Sequence, residues 1–274
     1  MAMKKFGYSQ SNADHTLFLK KRGDHITCLI IYVDDMILIG DDQEEISKIK
    51  KELFREFEMK DLGRLKYFLG IEVLRSKLGI FISQKKYILD LLTEMGMIDC
   101  KPAETPMVVN HGLMIQENGI PADKERYQRL VGKLIYLSHT RPDIAYAVGV
   151  ISQFMQQPQS NHMEAALRIV RYLKGSINKG ILYRDHGHLK IHAYTDADWA
   201  GNSNDRRSTA GYFTLVGGNL VTWKSKKQNV VALSSAEAEF RGIAKGVTEI
   251  LWVKKLLTEL GYPCLLYTSD AADE

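Results

Sequence analysis

Short apolar runs and amphipathic stretches alternate through the first hundred residues. Two apolar runs, residues 28–33 and 36–39, flank a pair of aspartates, and runs of this length predict the two strands of a buried hairpin. A second strand pair is predicted at residues 67–74 and 79–82. Helices are expected after each pair, because apolar residues then recur at three- and four-residue intervals. These residues are Ile46, Ile49, Leu53 and Phe57, then Tyr87, Ile88, Leu91 and Leu92.

The middle of the chain changes to helical patterns. Residues 99–122 hold three of the six prolines and show no sustained period, which predicts an irregular linker. Amphipathic patterns at residues 127–138, 143–156 and 161–174 predict three helices. The predicted fold so far is a small sheet with helices, followed by a helical region.

Strand patterns return after residue 180 and end in a long helix. Strands are predicted at residues 181–184, 189–195, 210–216, 220–224 and 230–233, and Gly217-Gly218 is a strong hairpin signal. The helix runs from Ser234 to Leu260. One apolar stripe is expected to be its buried face. The stripe consists of Phe240, Ile243, Val247, Ile250, Leu251 and Leu257. This pattern predicts a separate α/β module, so the whole chain is expected to be of the mixed α+β and α/β class.

Composition narrows the class of protein without selecting a function. The chain has 274 residues, 45% apolar and 26% charged, which excludes disorder, collagen and a disulfide scaffold and fits one or two globular domains. The three cysteines show no paired spacing, so no zinc site or disulfide framework is indicated. No signal peptide or membrane span is predicted. The net charge of +4 permits a polyanionic partner but does not require one.

Asp34 and Asp35 are the sharpest candidate for chemistry. One reading is a solvated hairpin turn, because aspartate is a good turn residue. The other follows from the apolar strands on both sides, which would bring two like charges to the edge of a core. Such a pair needs a compensating cation, and Mg²⁺ is bound by one or two carboxylates together with substrate phosphates.

A second acidic pair combines a strand end with the long helix. Asp196 and Asp198 follow an apolar strand, where a simple turn is the alternative reading. Glu237 fits a capping box with Ser234, whereas Glu239 lies at the edge of the apolar stripe. Asp196 together with Glu239 is therefore a candidate metal site.

Two basic clusters occur in the same module. Arg206 and Arg207 form one, and Lys224, Lys226 and Lys227 form the other. They are either solvated loops or contacts to nucleic-acid phosphates.

The motifs resemble a known family. The run from Tyr32 to Asp35 resembles the polymerase signature of reverse transcriptases. Further segments in colinear order, over about 260 residues, resemble the copia-type LTR retrotransposon Pol polyprotein. These segments are residues 7–14, 29–40, 57–63, 67–72, 105–107, 127–137, 140–145, 171–175, 194–201 and 234–239.

The resemblance implies two active sites of the same chemical type. In a polymerase palm, Asp34 would bind catalytic Mg²⁺ with Asp35 beside it, for phosphoryl transfer with two metal ions. In an RNase H domain, Asp196 and Glu239 match the first and second carboxylates, which would serve cleavage of RNA in RNA/DNA hybrids. Mn²⁺ is the alternative ion.

The resemblance also implies an order of domains. It consists of a partial palm (1–82), a thumb and linker (83–122), a helical connection (123–185), a truncated RNase H-like domain (186–264) and a foreign or disordered tail (265–274). The expected partners are an RNA template, a DNA primer, an RNA/DNA hybrid and the rest of the Pol polyprotein, without a membrane. The expected location is the cytoplasm, in virus-like particles, with a nuclear stage and a link to DNA integration.

Departures from the family pattern limit the expected activity. A palm needs an upstream aspartate on a neighbouring strand, and Asp14 and Asp24 do not fit that pattern. The later RNase H carboxylates would lie beyond the last residue, and Asp270 is given no role. The chain is therefore expected to be a fragment that is inactive alone. The alternatives are a non-catalytic nucleic-acid-binding remnant and the product of a degenerate element.

Overall fold

A computed structural model describes residues 2–202 and 205–263. Contacts divide the chain into two units, which we describe separately. The first unit holds the described parts of Met1–Leu65, Leu189–Ile191 and Thr248–Glu274, and the second holds those of Lys66–His188 and His192–Val247. The predicted domain boundaries stay predictions, and the expected tail at 265–274 and Asp270 lie outside the described residues.

The first unit is built on a four-stranded sheet in the order β1-β2-β3-β4 with antiparallel pairs. Its elements are α1 (Ala2–Lys5), β1 (Ser9–Gln10), β2 (Leu17–Arg22), β3 (His25–Tyr32), β4 (Asp35–Gly40) and α2 (Gln43–Glu56). The predicted first hairpin and its helix are confirmed.

Both faces of this sheet carry apolar clusters. Ile49 and Leu53 of α2 pack with Leu29 on one face. Leu17, Leu19 and Cys28 form the other cluster, against residues 256 and 260. Burial of Cys28, together with the nearby Asp41, raises the pKa of its thiol to about 11.

The second unit combines a sheet, a helical core and a second sheet. Its first elements are β5 (Tyr67–Phe68), β6 (Ile71–Ser76), β7 (Gly79–Ser83), α3 (Lys85–Glu94), α4 (Lys124–Leu137), a 3-10 helix (Pro142–Ile144), α5 (Ala145–Ser152), α6 (Ser160–Lys174) and β8 (Ile181–Tyr183). The sheet order is β5-β6-β7-β8, so β8 returns about a hundred residues later to pair with β7. Helices α3 to α6 supply the largest apolar core. The irregular linker and the three helices are confirmed.

The remaining elements follow the helical core. They are β9 (Ile191–Ala197), β10 (Thr209–Val216), β11 (Asn219–Lys227) and α7 (Ser235–Glu259), of which α7 belongs to the second unit up to Val247. The sheet order is β11-β10-β9. The Gly217-Gly218 hairpin is confirmed, since both residues have positive φ.

The structure corrects two predicted strands. Residues 67–74 are not one strand, because Leu69 and Gly70 have positive φ and form a turn between β5 and β6. Residues 230–233 form no strand. Instead, the backbone carbonyl of Ala232 accepts a hydrogen bond from the Trp199 indole at 3.1 Å.

The structure also corrects the buried face of α7. The predicted apolar stripe is largely exposed, with Phe240 71% and Val247 47% accessible. The helix meets the sheet through Ala238, Gly242 and Gly246, all buried. A Cβ at Gly246 would lie 2.4 Å from the Thr195 methyl group, so small residues permit an approach that large apolar side chains would prevent.

A buried arginine joins the helices of the second unit. Arg141 is 1% exposed. Its Nε and Nη2 donate to the Asp143 carboxylate at 2.9 and 2.8 Å, and Nη1 donates to the Ser176 carbonyl at 2.9 Å. Burial alone would raise the pKa of Asp143, but hydrogen bonds from Arg141 and Tyr172 and the guanidinium charge hold it below its usual value. Among the described residues, we find no helix with the length and apolarity to cross a bilayer.

Candidate functional site

The Asp34-Asp35 pair lies at the tip of the β3–β4 hairpin. Tyr32 pairs with Asp35 across the strands, so Val33 and Asp34 form a two-residue turn. Val33 has φ of 50°, and positive φ at the first central position is the pattern of a type II′ turn, which usually has glycine there. A β-branched residue in this conformation stores about 1–3 kcal/mol of strain. The turn therefore holds the two carboxylates in a costly but defined backbone geometry.

The two carboxylates are exposed, which changes one step of the sequence argument. Asp34 and Asp35 are both classed as exposed, and Val33 is 80% accessible. The strands are buried only near their middle, around Thr27 to Leu29, because the hairpin tip extends past the core. The expected crowding of two charges at a core edge is therefore wrong. What remains is an accessible pair of hard oxygen donors.

The second predicted pair combines β9 with α7. A Cβ at Gly242 would lie 3.6 Å from the Ala197 Cβ and 3.7 Å from the Asp196 carbonyl oxygen, so the start of the helix passes over the end of the strand. Because Ala197 faces the helix and side chains alternate along a strand, Asp196 projects from the opposite face. Glu239 is half-buried on the helix. The structure thus brings the two segments together, while Asp196 and Glu239 as a metal pair stay a prediction.

Asp196 borders an aromatic groove of about 550 Å³ within the second unit. Tyr194 stacks on Phe213 there, with ring centroids 4.8 Å apart, and the Trp223 indole donates to the Ser138 carbonyl at 2.9 Å. The indole is thereby engaged in packing, which supports the structural role expected for it. Within the described ranges, no group of three or more His, Cys, Asp or Glu side chains could hold a metal ion.

The neighbouring acidic residues have structural roles. Glu237 accepts a hydrogen bond from the Leu233 backbone N–H at 2.7 Å, and its own N–H donates to Ser234 Oγ at 3.1 Å. The Leu233 hydrogen bond and the charge of Arg241 lower the pKa of Glu237. Its predicted capping role is confirmed. Asp198 accepts from the Thr209 N–H at 2.7 Å, so it stabilises the turn at the strand end.

The predicted basic residues fall into two groups. Asp205 pairs with Lys227 at 2.9 Å and with Arg207 at 3.6 Å, so two of the five cations share one carboxylate. Burial favours a higher pKa for Asp205, yet the Lys227 and Arg207 interactions bring it below its usual value. Lys224 and Lys226 are exposed and lie on one side of β11. Lys245 of α7 lies close to both, and the sequence analysis missed it.

Comparisons with known proteins agree with the polymerase hairpin. The family described as "Reverse transcriptase (RNA-dependent DNA polymerase)" matches residues 1–109. The retrovirus-related Pol polyprotein from transposon RE1 of Arabidopsis thaliana is 44% identical over 255 residues, 93% of this chain and 17% of the polyprotein. The corresponding polyprotein from transposon TNT 1-94 of Nicotiana tabacum is 36% identical over 270 residues, 94% of this chain and 20% of that protein.

A shorter relative is matched over nearly its whole length. The uncharacterized mitochondrial protein AtMg00810 of Arabidopsis thaliana is 38% identical over 224 residues, 82% of this chain and 93% of that protein. No solved structure matches the chain significantly.

These matches define the class as reverse transcriptase-like. Within that class, the chain belongs to the Pol polyproteins of copia-type retrotransposons. It spans only 17% of the RE1 polyprotein and 20% of the TNT 1-94 polyprotein.

Proposed function

We propose that the chain supplies carboxylates for two phosphoryl-transfer sites of a Pol polyprotein. Asp34 and Asp35 serve RNA-directed DNA polymerisation in a palm formed by residues 1–82. Asp196 and Glu239 serve RNase H cleavage in the module from residue 186 onward. The observation that carries the proposal is the exposed β3–β4 turn, which presents both aspartates inside the segment that matches the reverse transcriptase family.

The donor set at the turn suits Mg²⁺, with Mn²⁺ as the alternative. Asp34 and Asp35 offer hard carboxylate oxygens at an accessible position, and Mg²⁺ in proteins is commonly bound by one or two carboxylates plus substrate phosphates. When bound, the ion neutralises charge on the reacting phosphates. The strained Val33 backbone keeps the two aspartates at the hairpin tip, where a primer end and an RNA template can reach them.

The proposed partners follow from this assignment. The palm segment takes an RNA template with a DNA primer, and the RNase H-like module takes an RNA/DNA hybrid. The rest of the polyprotein completes both sites, because each pair found here has two carboxylates and no third ligand within the described ranges.

Metal binding tests the assignment of the carboxylates. We expect weak Mn²⁺ binding by the full chain, followed by electron paramagnetic resonance of free Mn²⁺. Asp34→Asn and Asp196→Asn should each weaken it several-fold, since each removes one charged ligand from a two-carboxylate set. Asp24→Asn, in the exposed turn between β2 and β3, is the matched control and should leave the titration unchanged. Equal Mn²⁺ binding in all four proteins would refute the assignment.

Catalytic assays test the proposal that the chain is inactive alone. With Mg²⁺ or Mn²⁺, we expect no primer extension on an RNA template and at most trace cleavage of an RNA/DNA hybrid, because two carboxylates hold the ions weakly. Extension that Asp34→Asn abolishes, or robust cleavage that Asp196→Asn abolishes, would show that the chain is a complete enzyme and contradict this expectation.

A further inference from the structure

Three lysines converge on one side of the second unit, and we call them the α7 lysine patch. Lys224 and Lys226 are two residues apart on β11, so they project from the same side of the strand. Their register partners are Tyr212 and Ala210. Ala210 packs against α7, since a Cβ at Gly242 would lie 3.8 Å from the Ala210 Cβ. Lys245 comes three residues after Gly242, about one helical turn further.

The patch has no acidic compensation in the described residues. None of its three ammonium groups lies within 4.0 Å of a described carboxylate, and all three residues are exposed. Burial lowers the pKa of Lys245, and the charges of Lys226 and Lys224 lower it further. The mutual repulsion indicates that the three cations share one small region. Such a cluster destabilises the free protein slightly and is relieved by a bound anion.

The contrast with the adjacent Asp205 cluster is informative. Lys227 follows Lys226 directly but projects to the other side of β11, where Asp205 accepts from it at 2.9 Å. Arg207 lies 3.6 Å from the same carboxylate. The chain therefore neutralises two cations locally and leaves the three α7-side lysines with their full charge. Of the basic residues that the sequence suggested for nucleic acid, only Lys224 and Lys226 belong to this patch.

We propose that the α7 lysine patch binds successive phosphates of a nucleic-acid backbone without reading the base sequence. Lysine ammonium groups on flexible stems act as point charges that suit phosphate oxygens. The choice of nucleic acid over another polyanion rests on the proposed function. The binding itself requires no metal ion and none of the four candidate carboxylates.

The salt dependence of binding tests the patch. The full chain is titrated against a fluorescein-labelled RNA/DNA hybrid in EDTA, with anisotropy as the readout, between 50 and 200 mM salt. Three phosphate contacts contribute a slope of about −2.7 in log K against log salt, or about a 40-fold loss over this range. We expect Lys224→Gln/Lys226→Gln/Lys245→Gln to remove 2 to 3 of these slope units, about one for each lysine. Single variants should each remove about one.

A charge-matched control separates the patch from net charge. Lys48, Lys51 and Lys77 are exposed lysines elsewhere in the chain, and their triple Gln variant lowers the net charge by the same amount. It should keep the wild-type slope. Equal slopes for the two triple variants would overturn the proposal. Tighter patch-dependent binding to poly-glutamate than to the hybrid would also overturn it, because the partner would then be an acidic polypeptide.

The outcome is separable from that of the proposed function. Asp34→Asn and Asp196→Asn should bind the hybrid in EDTA with the wild-type slope. If the lysine variant binds normally while these two lose Mn²⁺, the patch is wrong and the carboxylate assignment stands. If the lysine variant loses the slope while Mn²⁺ binding never depends on Asp34 or Asp196, the patch stands and the carboxylate assignment is wrong.

Discussion

Replacing Arg141 with methionine is expected to lower the free energy of unfolding of the second unit by about 3 kcal/mol. The guanidinium is buried and makes hydrogen bonds to Asp143 and Ser176. Methionine keeps an apolar stem but leaves the Asp143 carboxylate and the Ser176 carbonyl without those donors. The cost of unpaired polar groups, rather than lost packing, dominates. Urea denaturation monitored by tryptophan fluorescence measures the change.

The matched control is Arg241→Met in the same unit. Arg241 pairs with Glu237 one helical turn away, and the side chains are 45% and 31% exposed. An exposed pair of this kind contributes at most about 0.5 kcal/mol. Similar losses in the two variants would contradict the distinction between buried and exposed arginines.

The pH dependence provides a second signature of the same interaction. The folded-state pKa of Asp143 is held below the model value of 3.8, so its contribution is fully present above that pH. It is lost as pH falls through the lower folded value. The wild-type protein should therefore lose this part of its stability below about pH 4. Arg141→Met should show a weaker acid dependence, because its folded and unfolded pKa values for Asp143 lie closer together.

A second large effect is expected for Gly79→Ala, also about 3 kcal/mol. Gly79 begins β7 with φ of 133°, a region that side-chain-bearing residues rarely adopt. Its added Cβ would lie 2.0 Å from the carbonyl oxygen of Tyr183. That atom belongs to the backbone of β8, so relief requires β8 to move away from β7. Hydrogen exchange should show faster exchange in β8, and urea unfolding should shift to lower concentration.

Gly23→Ala isolates the backbone conformation from the steric overlap. Gly23 has φ of 61° and no atom within 4 Å of an added Cβ, so only the left-handed conformation is penalised, by about 1 kcal/mol. A Gly79→Ala effect as small as that of Gly23→Ala would show that the β7–β8 contact is more adaptable than the structure indicates.

Local patterns were sufficient for elements whose residues interact mainly with their neighbours. The hairpin around Asp34 and Asp35 was predicted because a short apolar run, a polar pair and a second apolar run define a turn almost alone. The three middle helices were predicted for a similar reason. The pairing of β8 with β7 was not, since it joins Ile82 to Ile181 and no local pattern encodes such a partner.

The face of α7 shows why hydrophobicity can mislead. The largest apolar residues, such as Phe240, suggested the buried side, but the sheet is met by Ala238 and Gly242. Distance of approach, rather than apolar area, decided which face packs. The same error concealed Lys245, because the position of a helix residue relative to a strand follows only from the correct face. The role of Asp205 was equally inaccessible, since its pairing with Lys227 depends on the sheet.

The buried thiol of Cys28 gives the first unit an internal reporter of opening. Its pKa of about 11 leaves little thiolate at neutral pH, and its sulfur lies in an apolar cluster beneath β2. Alkylation at this position therefore requires the sheet to open, and the labelling rate follows the population of opened molecules. Mass spectrometry of the Cys28 peptide would follow this local equilibrium independently of the tryptophans, so opening around β2 and β3 can be measured without unfolding the whole chain.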